Sequence, residues 1–76
     1  MTYFRTIVEM TNGFHKTLRL TKSDVAHVVS EFRKFQRSIF NDQQTITFGD
    51  VTLVLNEIIS WKFINEWTSE EFLTLN

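Results

Sequence analysis

The pair Asn12 and Gly13 constrains this chain more than any other feature. It lies between residues 3–11 and residues 14–20, two runs rich in alternating apolar side chains. Asn-Gly flanked by such runs is the strongest short-range signal for a β-hairpin. The register then decides what is buried, because a slip of one residue exchanges the faces of a strand. A two-residue turn at Asn12 and Gly13 pairs Val8 with Thr17, and it sets Leu18 and Leu20 on the face opposite Phe4 and Val8. A three-residue loop over residues 11–13 pairs Phe4 with Leu20, Thr6 with Leu18 and Met10 with Phe14. That register gathers Phe4, Val8, Met10, Phe14, Leu18 and Leu20 on one face. It is the expected one, with Gly13 left-handed in a bulge.

A helix follows at "LTKSDV". Thr21 is placed to cap it, Asp24 three residues on completes a capping box, and Leu20 and Val25 flank the start as a hydrophobic staple does. Val25, Val28, Val29, Phe32, Phe35 and Ile39 then recur at helical spacing. Arg33, Lys34 and Arg37 come late in the helix, where its dipole favours cations. The polar "NDQQ" at residues 41–44 ends it.

"TITFGDVTLVL" reads as a second hairpin. A turn at Gly49 and Asp50 pairs Phe48 with Val51 and Ile46 with Leu53. The following "LNEIISWKFINEW" has polar residues all round a helical wheel, so it reads as a strand. A three-residue connection at residues 56–58 would set Ile59 beside Leu55, Trp61 beside Leu53 and Phe63 beside Val51. Ile59, Trp61 and Phe63 are then expected to face the helix, with Tyr3, Ile7, Val54, Ile58 and Ile64 on the reverse side of the sheet. In "TSEEFLTL", Thr68 and Glu71 resemble another capping box, so a short terminal helix is expected to carry Phe72, Leu73 and Leu75 onto that reverse side or onto a second subunit. The expected fold class is α+β: one domain over residues 1–76, order β-β-α-β-β-β. A mostly antiparallel sheet of about five strands has one main helix on one face, with the short helix at the C-terminal end.

Composition matters because the chain is short. At 76 residues, folding buries roughly 60–65% of the unfolded surface, and small domains lean on disulfides, metals or self-association. There is no cysteine, which removes disulfides and thiolate metal sites and points to a reducing compartment. Eight Phe, two Trp and one Tyr supply an aromatic core instead. The N-terminal "MTYFRTIVEM" lacks the pattern of a signal peptide, and no run is long enough to span a membrane. A cytoplasmic location is expected.

The net charge of −1 conceals a split. Residues 1–40 hold seven Lys and Arg against three acids, and residues 41–76 hold one Lys against six acids. Mutual neutralisation of the two halves is the simpler reading, and a nucleic-acid footprint the sharper one. The equipment for chemistry is thin. His15 and His27 have no evident converging partners. Glu70, Glu71 and Asp42 read as a helix-start pair and a loop acid. Ser23 and Ser60 lack a nucleophile-elbow context, and Gly13 and Gly49 are isolated turn glycines. No enzyme, cofactor or metal is expected. Phe32, Phe35, Phe40, Trp61 and Phe63 read as core rather than as a ligand pocket.

"TNGF", "LTKSDV" and "LNEII", within residues 3–65, resemble the corresponding pieces of short uncharacterised bacterial and phage proteins. The resemblance implies the strand-turn-strand-helix-strand-strand architecture and a small accessory or regulatory binding protein; it carries over no catalytic residue. The expected function is therefore a non-enzymatic interaction module, forming a homodimer or binding another protein. Its expected interface comprises Tyr3, Ile7, Val54, Ile58, Ile64, Trp67, Phe72 and Leu75. The competing expectation is a nucleic-acid-binding regulator using Arg33, Lys34 and Arg37, with Arg5, Lys16 and Arg19 on the first hairpin and Tyr3 and Trp67 stacking on bases.

Overall fold

The computed structural model describes residues 1–38 and 44–76. The expectations on Ile39, Phe40, Asn41, Asp42 and Gln43 lie outside the described residues. Strands β1 (Tyr3–Met10) and β2 (His15–Thr21) form the first hairpin. Its register is that of the three-residue loop: Phe4 pairs with Leu20 and Thr6 with Leu18. The Gly13 N–H donates to the Met10 carbonyl (3.0 Å) and the Met10 N–H to the Phe14 carbonyl (2.9 Å). Gly13 has φ of +88°, a conformation that a Cβ penalises. Phe14 departs from expectation. It sits at the hairpin tip and is 70% exposed, because no described residue reaches that far to cover it; Met10 and Leu18 do pack against the core.

Helix α1 (Lys22–Arg37) opens on the expected reciprocal cap. The Asp24 N–H donates to Thr21 Oγ1 (3.2 Å), and the Thr21 N–H donates to Asp24 Oδ2 (3.1 Å). Val25, Val28 and Phe32 are buried on its inner stripe. Strands β3 (Thr45–Phe48) and β4 (Val51–Val54) pair about Gly49 and Asp50 in the expected register.

The larger departure follows. The chain leaves β4 through a 3-10 turn at Leu55–Glu57, and strand β5 (Ile58–Asn65) does not pair with β4. Two backbone bonds hold the turn: the Leu55 N–H donates to the Gln44 carbonyl (2.8 Å) and the Thr11 N–H to the Glu57 carbonyl (2.9 Å). They bring the start of β5 to the tip of the first hairpin. From there β5 runs antiparallel along β1 over nearly its whole length. Pairing with β4 would have left the β1 edge open. The final segment is strand β6 (Glu71–Leu75), not a helix; it pairs antiparallel with β5. The result is a four-stranded sheet of order β2-β1-β5-β6 and a separate β3-β4 hairpin.

Helix and second hairpin share one core with the inner face of the sheet. Phe4, Val8, Leu20, Trp61 and Phe63 from the sheet meet Val28 and Phe32 from α1 and Ile46, Leu53 and Leu55 from the second hairpin and turn. Trp61 is completely buried, as expected for the helix side. Its ring lies edge-on to Phe32 (6.0 Å between centroids) and stacked on Phe63 (6.4 Å).

Candidate functional site

The expected interface residues do not form one surface. Tyr3, Ile7 and Ile64 are half-buried on the outer face of the sheet, where Arg5 stands between Arg19 and Ile64 across the strands. Among the described residues no second layer covers this face. Long charged side chains lie over its apolar parts instead, as amphipathic residues do. The Arg19 guanidinium sits 3.8 Å from the centre of the Tyr3 ring. Arg19 Nε also donates to both carboxylate oxygens of Glu66, at 3.2 and 3.0 Å. That hydrogen bond, aided by the charge of Glu66, raises the pKa of Arg19 despite some desolvation. Lys62 pairs with Glu71 at 3.4 Å, and Ser60 Oγ donates to Glu9 at 3.2 Å.

Ile58 and Val54 are not on that face. Ile58 is buried in the core, and Val54 is half-buried on the separate hairpin. Leu75 is likewise buried in the core. Trp67 lies in the loop between β5 and β6, 91% exposed. It borders a shallow hollow with Met1, Thr2, Tyr3, Arg19 and Glu66. The loop is held by Asn65, whose Oδ1 accepts from the Trp67 N–H (2.8 Å) and the Thr68 N–H (3.2 Å).

Phe72 marks a different place. The β5–β6 register shifts between Phe63 and Ile64, and the displaced Phe72 rests against Phe4 with centroids 5.0 Å apart. It remains 54% exposed. With Leu73 it forms one wall of a groove of about 390 Å³; Lys22, Val25, Ala26, Val29 and Ser30 of α1 form the other. The lining is almost wholly apolar apart from Lys22 and Ser30. On the opposite flank of the helix, His27 meets Phe48 edge-on (6.2 Å).

This groove was hidden from sequence reasoning, which read the β6 segment as helical. One signal was present: Leu73, Thr74 and Leu75 alternate at a strand's period of two.

The groove runs beside an open sheet edge. Among the described residues β6 is the last strand of the sheet, so its outer row of backbone donors and acceptors is available to another strand. The other edge, β2, carries Lys16 and Arg19, and charges of this kind discourage edge pairing. After Glu71, β6 has no charged residue.

The cationic helix residues Arg33, Lys34 and Arg37 are exposed. Lys34 reaches Glu31 at 3.8 Å. At about 100° per residue, Arg33 and Arg37 fall on the same arc of α1 as Lys22, Ala26 and Ser30, further along the helix. Gln36 lies near that arc too, and its Nε2 donates to the Asn76 carbonyl at 3.0 Å. The helix arc that walls the groove thus has Lys22 at its start and continues beyond the groove into Arg33 and Arg37. His15 and His27 are both exposed and belong to separate elements. Among the described residues no three His, Cys, Asp or Glu side chains are grouped to hold a metal, and no helix is long and apolar enough to cross a membrane.

Comparison with protein families, curated proteins and solved structures finds no match for the chain.

Proposed function

We propose that this is a small non-enzymatic interaction module of the cytoplasm, with an accessory or regulatory role, that takes an extended segment of a protein chain along β6. The observation that carries this reading is the apolar groove between α1 and β6 lying alongside an open strand edge. A strand added there gains main-chain hydrogen bonds from the edge, and pockets for alternate side chains supply selectivity.

Ala26 provides the test. It is exposed on the groove wall and outside the core. Ala26→Arg keeps a strong helix former while placing a bulky charge in the groove. Peptides selected by display against the wild-type chain should show alternating apolar residues and fail to bind the Ala26→Arg chain. Equal binding to both would remove the groove from the account.

The second reading is nucleic-acid binding through Arg33, Lys34 and Arg37. Its support is their shared exposure on one helix. Two observations weigh against it. Lys34 is paired with Glu31, and the Tyr3 ring meant to stack on a base is covered by Arg19. Binding of a single-stranded oligonucleotide at low salt, lost in Arg33→Ala with Arg37→Ala, would favour it.

A further inference from the structure

We infer that the segment taken along β6 is β6 of a second copy of this chain, paired antiparallel about a two-fold axis at Leu73. The inference rests on the groove reading above and adds the identity of the occupant.

The register follows from symmetry. With Leu73 opposite its own counterpart and Phe72 bulged in each copy, Thr74 faces the second copy's Glu71 on the outer side and Leu75 faces its Glu70 on the inner side. An axis perpendicular to the sheet keeps both inner faces on the same side. The two sheets become one continuous sheet, and the two copies of α1 flank the seam. The half-exposed Phe72 of each copy then lies at the seam, closing the open side of the grooves.

Charge selects this occupant over an arbitrary strand. Beyond the groove, Arg33 and Arg37 continue the helix arc that carries Ala26 and Ser30, towards the end of α1 where Gln36 bonds to Asn76. Antiparallel pairing delivers the second copy's Glu70 to that end. Among the described residues, none of the ion pairs uses Arg33, Arg37 or Glu70. The sequence "EEFLTL" carries its acids first and its apolar residues after, so reversed against itself it sets the acids towards Arg33 and Arg37, beyond the groove. The pairing also joins the basic first half of one chain to the acidic second half of the other. A parallel strand would put the acids beside Phe72 and leave the arginines unmatched. The β2 edge offers no such match, being cationic itself.

A charge exchange tests this with folded full-length chains. Arg33→Glu with Arg37→Glu is one variant, and Glu70→Lys is the other; all three positions are exposed, and circular dichroism checks that both variants fold. Sedimentation equilibrium should give the wild type twice the mass of one chain at tens of micromolar. Each variant alone should dissociate at least tenfold more readily. An equimolar mixture should recover much of the lost dimer, because one of its two clasps is wild-type and the other is charge-reversed. A monomeric wild type at hundreds of micromolar would overturn the inference, as would a mixture no tighter than its components. If the wild type is monomeric while selected peptides still discriminate against Ala26→Arg, only the identity of the occupant fails. If that discrimination is lost as well, the groove reading fails with it.

Discussion

Ile58 and Ile59 are adjacent in sequence and lie on opposite sides of the sheet boundary: Ile58 is buried in the core, whereas Ile59 is 47% exposed. Strict alternation back from Trp61 and Phe63 would reverse them. The pairing with β1 explains the inversion. Glu9 pairs with Ser60 but Met10 with Ile58, so Ile59 is an extra residue in β5. A bulge of this kind bends a strand and re-aims its side chains. Here it turns Ile58 inward where the 3-10 turn delivers the chain to the sheet.

The two isoleucines should therefore respond differently to truncation. Ile58→Ala is expected to cost about 2–4 kcal/mol through lost burial and a residual cavity. Ile59→Ala should stay within about 0.5 kcal/mol, as surface changes do. Urea unfolding of the two variants decides it; equal losses would contradict the bulge.

The two tryptophans offer an optical check. Trp61 has no exposed surface and Trp67 is almost fully exposed. Iodide should quench the fluorescence of Trp61→Phe, which reports Trp67, and leave that of Trp67→Phe nearly unchanged. Trp61 Nε1 is also buried without a hydrogen-bond partner among the described residues. A buried unsatisfied donor costs about 1–3 kcal/mol. Trp61→Phe removes that donor, which offsets part of the packing loss, so it should destabilise less than Phe63→Ala, expected at about 3–5 kcal/mol.

Gly13 separates backbone strain from crowding. A Cβ built there meets nothing within 4 Å, yet φ is +88°. Gly13→Ala should cost about 1–2 kcal/mol from the left-handed backbone alone, and Gly13→Asn less, since asparagine tolerates that region. Thermal unfolding of the pair makes the comparison; an unperturbed Gly13→Ala would argue against the turn.

The cap at Thr21 is a further local test. Thr21→Ala removes the side-chain acceptor of the Asp24 N–H and should lower stability by about 1 kcal/mol. Thr21→Ser should restore most of it, as followed by helical circular dichroism on heating.

Much of the fold was legible because it is encoded locally. Asn12 and Gly13 set one hairpin register, Gly49 and Asp50 the other, and Thr21 with Asp24 marks the helix start. Trp61 and Phe63 were assigned correctly to the helix side even though the partner strand was not. What escaped were choices between distant strands. β5 prefers β1, far away in sequence, to β4 beside it, and no property of residues 55–57 alone announces this. The end of the chain was misread for a related reason. Thr68 looks like a helix cap, but its Oγ1 accepts from the Glu70 N–H (3.2 Å) within a turn that Asn65 initiates. The groove between α1 and β6 exists only once both long-range choices are made, so Phe72 was assigned to an interface without its setting. Phe72 is nonetheless the one expected interface residue that lines that groove.

Hydrogen exchange of the β6 amides, followed as the protein is concentrated, tests the central claim most directly. Glu71–Leu75 forms an open edge in the single chain and a paired strand in the proposed assembly. Protection of these amides should rise with concentration while the amides of β2, at the other edge, stay unchanged. Equal exchange of β6 at all concentrations, or protection that rises at β2 instead, would contradict it.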